Sequence, residues 1–240
     1  MATFVLVHGG WGGGWEWGEV ASSLRSRGHD VHTPTLTGLG DRAHLASRSV
    51  RLTTHVDDVV AVLVTEDLSD VVLVGQSYGG VVVTVAADRV PERLRRVVYL
   101  DAFVPSVGDS CNSLCGPAWT RRVRELAAEH GDGWQVPLPF SDDMGLPPAV
   151  AAWYVPRLVA HPLATLDDPA ELTGAGDAVP RSYLRYVGTD GEPEGDPLAG
   201  SARRARDAGW HYLEVVGPHD LHVSDPERTA TLLEGVLVTG

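Results

Sequence analysis

The chain has little of several features that define other classes of protein. Only two of its 240 residues are cysteine, Cys111 and Cys115, and no histidine pair stands beside them. This favours reduced thiols over a disulfide scaffold and does not make a zinc site. No apolar run approaches the length of a membrane span, and Met1 to Thr3 lead into an apolar segment without a basic region. We therefore expect a cytoplasmic protein.

Positive charge is also scarce. The chain has 19 lysine and arginine residues against 32 aspartate and glutamate residues, a formal net charge of −13. This balance argues against nucleic acid and anionic membranes as partners. A chain of 240 residues that is 43% apolar fits one large globular domain. We expect a small-molecule partner, and the sequence is compatible with a homodimer.

Predicted strands and helices alternate along most of the chain. This alternation predicts an α/β fold with a mostly parallel central sheet and helices on both faces. Loops that follow parallel strands then meet at one carboxyl edge. The predicted strands lie near 3–7, 29–33, 71–75, 95–101, 182–187 and 211–216, and the helices near 16–27, 53–66, 78–89, 198–208 and 225–238.

Ser77 stands in a Gly-x-Ser-x-Gly motif, Gly75 to Gly79, between two apolar runs. Residues 71–74 are β-branched and short, which indicates a buried strand, and residues 81–89 are long enough for a helix. A serine on a sharp strand-to-helix turn exposes its hydroxyl beside the first N–H groups of the helix. Ser77 is therefore the candidate nucleophile, and a plain glycine turn is the alternative.

A second motif follows the first predicted strand, where His8-Gly9-Gly10 opens a glycine-rich loop. A strand that ends in His-Gly-Gly is a typical source of an oxyanion-hole N–H. We expect the N–H groups of Gly10 and Tyr78 to bind an oxyanion, and His8 to be structural. A dinucleotide-binding loop is disfavoured because the run lacks a Gly-x-Gly-x-x-Gly pattern that opens a helix.

His219 is the candidate general base because it lies on the loop after the last predicted strand. His222 is its rival within the loop. A helix follows, for which we predict Ser224 as N-cap and Pro226 in the first turn.

The acid should bond Nδ1 of the base and fix its tautomer. We choose Asp190, which follows the strand near 182–187. Asp196 lies in the same loop, and Asp101, at the end of the strand near 95–101, is the main alternative. An Asp before a Gly is also a common turn former.

Together these motifs resemble the α/β-hydrolase superfamily over nearly the whole chain. More narrowly, the chain resembles the branch of plant hydroxynitrile lyases, plant methyl-ester esterases and bacterial esterase relatives. The matching stretches are Phe4 to Trp17, Thr35 to Leu45, Val72 to Gly80, Tyr99 to Pro105 and Gly217 to Asp220. The resemblance implies an α/β-hydrolase fold with a helical cap insertion.

Two departures from this branch bear on activity. The hydroxynitrile lyases place a lysine after the catalytic histidine and a hydroxyl side chain in the oxyanion loop, where this chain has Asp220 and Gly10. An aspartate cannot supply the positive charge that a leaving cyanide needs, so we do not expect lyase activity. Gln76 stands where many relatives carry histidine, and we expect it to leave the triad unaffected.

Residues 105–180 break the alternation with prolines, aromatics and helical stretches, so we predict a cap there and a core of 1–104 and 181–240. Cap aromatics above the nucleophile would form an apolar pocket that excludes water. Some of them should simply hold the cap to the sheet. The candidate pocket residues are Trp11, Trp119, Trp134, Phe140, Trp153 and Tyr154.

The predicted function is a serine esterase that cleaves a small apolar or aromatic ester or lactone through an acyl-enzyme, without a metal or other cofactor. One alternative is a biosynthetic cyclase or lyase that uses only His219 as base. Another is a non-catalytic receptor for a small ligand. Epoxide hydrolases and haloalkane dehalogenases would need an acidic residue at position 77.

Overall fold

A six-stranded parallel sheet forms the centre of the protein. The computed structural model describes residues 1–140, 144–188 and 196–238. The strands are β1 (Thr3–Val7), β2 (Asp30–His32), β3 (Val71–Ser77), β4 (Leu94–Ala102), β5 (Gln135–Val136), β6 (His161–Pro162), β7 (Arg181–Val187) and β8 (His211–Val216). The main sheet has the order β2-β1-β3-β4-β7-β8 with parallel pairings, and β5 and β6 form a separate antiparallel pair.

Helices cover both faces of the sheet, as predicted. The helices are α1 (Gly18–Ser26), α2 (Leu52–Thr65), α3 (Gly79–Arg89), α4 (Cys111–Cys115), α5 (Pro117–His130), α6 (Pro148–Tyr154), α7 (Leu163–Asp167), α8 (Ala199–Asp207), α9 (Leu221–Ser224) and α10 (Pro226–Gly235). Short 3-10 helices lie at Gly14–Trp17, Gly40–Leu45, Pro91–Arg93, Val155–Arg157 and Ala175–Ala178.

The alternation of side chains along each strand builds two apolar cores. In β1, Phe4 and Leu6 pack in one core with α1 and α10. Val5 and Val7 pack in the other with α2, α3 and α8. Because strands buried on both faces have no polar side, they appear in the sequence as continuous apolar runs.

The start of the last helix differs from its prediction. Ser224 is the last residue of the short helix α9, which the sequence analysis did not predict, so it cannot cap α10. The N-cap is Asp225, whose carboxylate accepts a hydrogen bond from the Arg228 N–H at 3.1 Å. A single residue, Asp225, thus separates α9, which follows His219, from α10, which begins at Pro226.

The segment between β4 and β7 contains α4 to α7 and the β5–β6 pair. It is attached to the loop after β1, where the Trp11 indole N–H donates to the Val136 carbonyl at 2.8 Å and the Val159 N–H donates to the Trp11 carbonyl at 2.9 Å. The boundaries 105–180 stay a prediction. Within the described ranges, no helix has the length and apolar character that a bilayer span requires.

Candidate active site

Ser77 ends β3 in the left-handed backbone region, with φ of 52°. A non-glycine residue in this region is strained and marks a turn that surrounding packing must enforce. The flanking glycines explain how the turn fits. A Cβ at Gly75 would lie 2.6 Å from the Gly79 carbonyl oxygen, and one at Gly79 would lie 2.7 Å from the His8 carbonyl oxygen. Glycine at both positions of the Gly-x-Ser-x-Gly pattern is therefore required sterically.

The two predicted oxyanion donors, Gly10 and Tyr78, lie next to each other. A Cβ built on Gly10 would be 3.9 Å from the Tyr78 Cβ. Within the described ranges, neither backbone N–H donates to another protein group. Both donors are thus available to a ligand atom between the loop after β1 and the start of α3.

Two buried histidines hold the oxyanion loop from opposite sides. His8 donates from Nδ1 to the Gly9 carbonyl at 2.8 Å and accepts at Nε2 from the Leu36 N–H at 3.0 Å, so it is structural, as predicted. His161, in β6, accepts the Trp11 N–H at its Nδ1, 3.2 Å away. Burial lowers the pKa of both imidazoles, so each can act as an acceptor near neutral pH.

A third buried histidine anchors the side chain of Tyr78. His55 donates from Nε2 to the Thr37 carbonyl at 2.9 Å, which leaves Nδ1 to accept the Tyr78 hydroxyl at 2.8 Å. Burial lowers the pKa of His55 to about 4, so the ring stays neutral. Tyr78 is therefore fixed by its ring as well as by α3, and its N–H is held in place for the site.

His219 has its acid partner at the end of β4. Its Nδ1 lies 2.6 Å from Oδ2 of Asp101, which has φ of 44°. The other carboxylate oxygen, Oδ1, accepts from the Arg185 guanidinium and from the Tyr186 N–H. Burial acts to lower the pKa of His219, but the hydrogen bond and charge of Asp101 outweigh it and raise the pKa to about 9.

This geometry favours Asp101 over the first choice of acid, which itself stays an untested prediction. Asp101, kept as the alternative, holds the Nδ1 position that was predicted for Asp190, and Asp190 lies outside the described residues. Asp196 contacts Arg185, which places it one ion pair away from Asp101. The sequence could not distinguish Asp101, Asp190 and Asp196 as the acid. The direction of the Asp101 carboxylate depends on the positive φ of that residue, which no sequence pattern predicts.

The partner of His219 Nε2 was not expected. Gln76, which we expected to leave the triad unaffected, places its amide Nε2 3.2 Å from His219 Nε2. Among the described residues, Ser77 makes no hydrogen bond to this ring. About 40% of the His219 side chain is exposed, so the ring can be reached from outside.

The predicted pocket aromatics lie in two clusters beside the oxyanion loop. Trp11 packs edge-to-face against Trp119 and Phe140, with ring centroids 6.2 and 5.4 Å away. Trp153 and Tyr154 instead pack against Trp15, at 5.3 and 5.5 Å.

Trp134 belongs to neither cluster. The guanidinium carbon of Arg48 lies 5.9 Å from the centroid of its ring. A place for Trp134 in the pocket stays a prediction.

A second buried acid–base group, missed by the sequence analysis, ties this loop to the cap and to the base loop. Glu16 accepts the Tyr154 hydroxyl at 3.1 Å and the Gly9 N–H at 3.4 Å, and its Oε1 lies 3.4 Å from His222 Nε2. Burial acts to raise the pKa of Glu16, but the bond to His222 and the neighbouring charges lower it. His222 is thus engaged here and not at Ser77. The described residues contain no group of three or more His, Cys, Asp or Glu side chains that could hold a metal ion.

Comparison with known proteins identifies the family of the chain. The profile of the alpha/beta hydrolase family matches residues 4–232. A carbendazim hydrolyzing esterase of Nocardioides sp. (strain SG-4G) is 38% identical over 97% of this chain and 98% of its own. Salicylic acid-binding protein 2 of Nicotiana tabacum is 29% identical over 75% of this chain and 67% of its own.

Among solved structures, an extracellular alpha/beta-hydrolase from a Paenibacillus species superposes with a TM-score of 0.84 at 29% identity, covering 98% of each chain. The chain therefore belongs to the alpha/beta hydrolase family. Its likeness to a named esterase along nearly its whole length identifies it as a carboxylic ester hydrolase of that family.

Proposed function

We propose that the protein is a serine esterase with Ser77 as nucleophile, His219 as general base and Asp101 as the acid that orients the base. One observation carries this proposal: the strained Ser77 stands beside two free backbone N–H donors, and its neighbour Gln76 contacts the base paired with Asp101. A serine nucleophile, a base with an orienting acid and an oxyanion site are the parts that acyl transfer requires.

The mechanism follows from these positions. His219 takes the proton of Ser77 as Oγ attacks the ester carbonyl, and the imidazolium formed is stabilised by Asp101. The N–H groups of Gly10 and Tyr78 receive the developing oxyanion, an effect of about 2.7–4 kcal/mol per donor in a comparable protease. The alcohol leaves, and water then attacks the acyl-enzyme with the same histidine as base.

The substrate class follows from the walls of the site. Trp11 directly follows the oxyanion donor Gly10 and packs with Trp119 and Phe140. An apolar wall of this kind favours a small apolar or aromatic acyl or alcohol group. We therefore propose small aromatic or apolar carboxylic esters or lactones as substrates. The likeness to a carbendazim hydrolyzing esterase is in keeping with a small-molecule substrate.

A serine-reactive fluorophosphonate probe tests this proposal. Intact-mass and peptide mapping should place one label on Ser77, and the label should be lost in Ser77→Ala and in His219→Ala. The control is Ser224→Ala, which changes the serine at the end of α9, five positions after His219. If the well-folded protein is not labelled but binds or converts small metabolites, a receptor or a base-only cyclase replaces the esterase proposal.

A further inference from the structure

Gln76 is nearly fully buried and points its amide at His219. Its Nε2 lies 3.2 Å from the ring Nε2 and 3.4 Å from the backbone carbonyl oxygen of the same histidine. A carbonyl oxygen only accepts, so the Gln76 atom on this side is the donor nitrogen. The amide oxygen faces Gly9, where a Cβ would lie 2.3 Å from it, so a side chain at position 9 would displace the amide.

The protonation of His219 fits this orientation. Asp101 accepts at Nδ1, so a neutral ring carries its proton there and has a lone pair at Nε2. The Gln76 amide can donate to that lone pair. In the protonated ring Nε2 also becomes a donor, and two N–H groups would face each other. Gln76 therefore stabilises the neutral ring, whereas Asp101 stabilises the charged ring.

The same lone pair must take the Ser77 proton in the proposed reaction. In the structure Gln76 contacts Nε2, and in the proposed reaction Ser77 must reach the same atom. The side chains of these two consecutive residues therefore compete for one atom of the ring. The contact to the His219 carbonyl gives the amide a second acceptor within reach, to which it can remain bonded when Ser77 takes Nε2.

We infer that Gln76 is a positioning residue that fixes the His219 ring in the resting protein, favours its neutral form by donating to Nε2, and gives up Nε2 to Ser77 when substrate binds. This inference rests on the proposed function for its consequence in catalysis. The hydrogen bond itself can be tested without turnover.

The experiment compares Gln76→Leu and Gln76→Glu with the wild type. The matched control is Gln135→Leu, which changes the only other glutamine, in the cap. The His219 imidazole is titrated from pH 6 to 10.5 by NMR of histidine-labelled protein, with His219→Asn for assignment. The rate of fluorophosphonate labelling is measured over the same range.

Loss of the donor in Gln76→Leu should raise the His219 midpoint by about half to one pH unit and slow labelling at pH 7 about three- to tenfold. In Gln76→Glu the carboxylate accepts the Nε2 proton, so the midpoint should rise by more than one unit. Gln135→Leu should match the wild type. A purely structural role would reduce the labelling amplitude without moving the midpoint.

The inference is overturned if the His219 midpoint of a folded Gln76→Leu protein stays at the wild-type value. If that variant does not fold, Gln76→Glu decides by the same measurement, since an unmoved midpoint contradicts the contact. Failure of the proposed function has a different signature: no labelling in any variant while the NMR midpoints still shift.

Discussion

Oδ2 of Asp101 lies 2.6 Å from Nδ1 of His219, although 118 positions separate the two residues in the chain. Asp101 is the penultimate residue of β4, which is the immediate neighbour in the sheet of β3, the strand that carries the proposed nucleophile. The base is reached from β8, two strands further along. Parallel strands with their carboxyl ends at one edge thus bring the proposed nucleophile, base and acid together.

The choice of acid can be settled by two matched substitutions. Asp101→Asn removes the charge that stabilises the imidazolium and allows the wrong tautomer, so kcat on a p-nitrophenyl ester should fall about 10⁴-fold. Asp190→Asn, at the position first predicted from sequence, should cost far less. A large loss confined to Asp190→Asn would return the acid to that loop.

The raised pKa of His219 sets the pH dependence of activity. Asp101 raises this pKa to about 9, against the effect of burial, and a general base acts only when it is neutral. kcat/KM should therefore be lost as the pH falls through about 9 and reach its plateau above that value. The check is a pH–rate profile corrected for spontaneous hydrolysis with Ser77→Ala.

Asp101→Asn should move that midpoint downwards, because the carboxylate charge that favours the protonated ring is gone. A wild-type midpoint near the ordinary histidine value of about 6.5 would show that Asp101 does not govern the base.

The Glu16 group should contribute to stability. Glu16→Leu leaves the buried Tyr154 hydroxyl and the Gly9 N–H without their acceptor, so the free energy of unfolding should drop by about 1–3 kcal/mol or more. Glu19→Leu, at an exposed position of α1, should change it by less than about 0.5 kcal/mol. Urea unfolding midpoints measure both.

The sign of the pH effect follows from the lowered pKa of Glu16. A carboxyl whose pKa is lower in the folded state adds stability above its ordinary value of 4.5 and loses it as the pH falls through the folded value. The difference between wild type and Glu16→Leu should therefore shrink in acid. A constant difference down to low pH would assign the effect to packing alone.

The strands of the main sheet could be predicted, and Ser77 and His219 could be chosen as candidates, because their signals are local. Apolar runs identify buried strands, and a strand-to-helix turn around a serine needs glycines that can be read directly. Asp101 could not be ranked above Asp190, because one lies at the end of a predicted strand and the other in the turn after one, and only the tertiary fold places a carboxylate at Nδ1. Gln76 and Glu16 carry no pattern of their own, since their contacts come from segments far away in sequence.

Two glycines that follow β1, Gly10 and Gly14, differ in how much space the fold leaves for a side chain. A Cβ at Gly14 would lie 2.1 Å from the Thr33 carbonyl oxygen, an atom of the backbone that cannot move aside freely. A Cβ at Gly10 would lie no closer than 3.6 Å to its nearest neighbour, His161 Nδ1, which is an ordinary contact.

Gly14→Ala should therefore destabilise the protein by about 1–3 kcal/mol or more, whereas Gly10→Ala should change its stability by less than about 0.5 kcal/mol. Thermal and urea unfolding of the two variants provide the comparison, and each serves as the control for the other. Equal destabilisation would mean that the space beside the oxyanion donor is needed by the fold itself. The expected asymmetry would instead show that the fold can accept a side chain at position 10. The absence of a side chain there would then concern the chemistry of the site and not its folding.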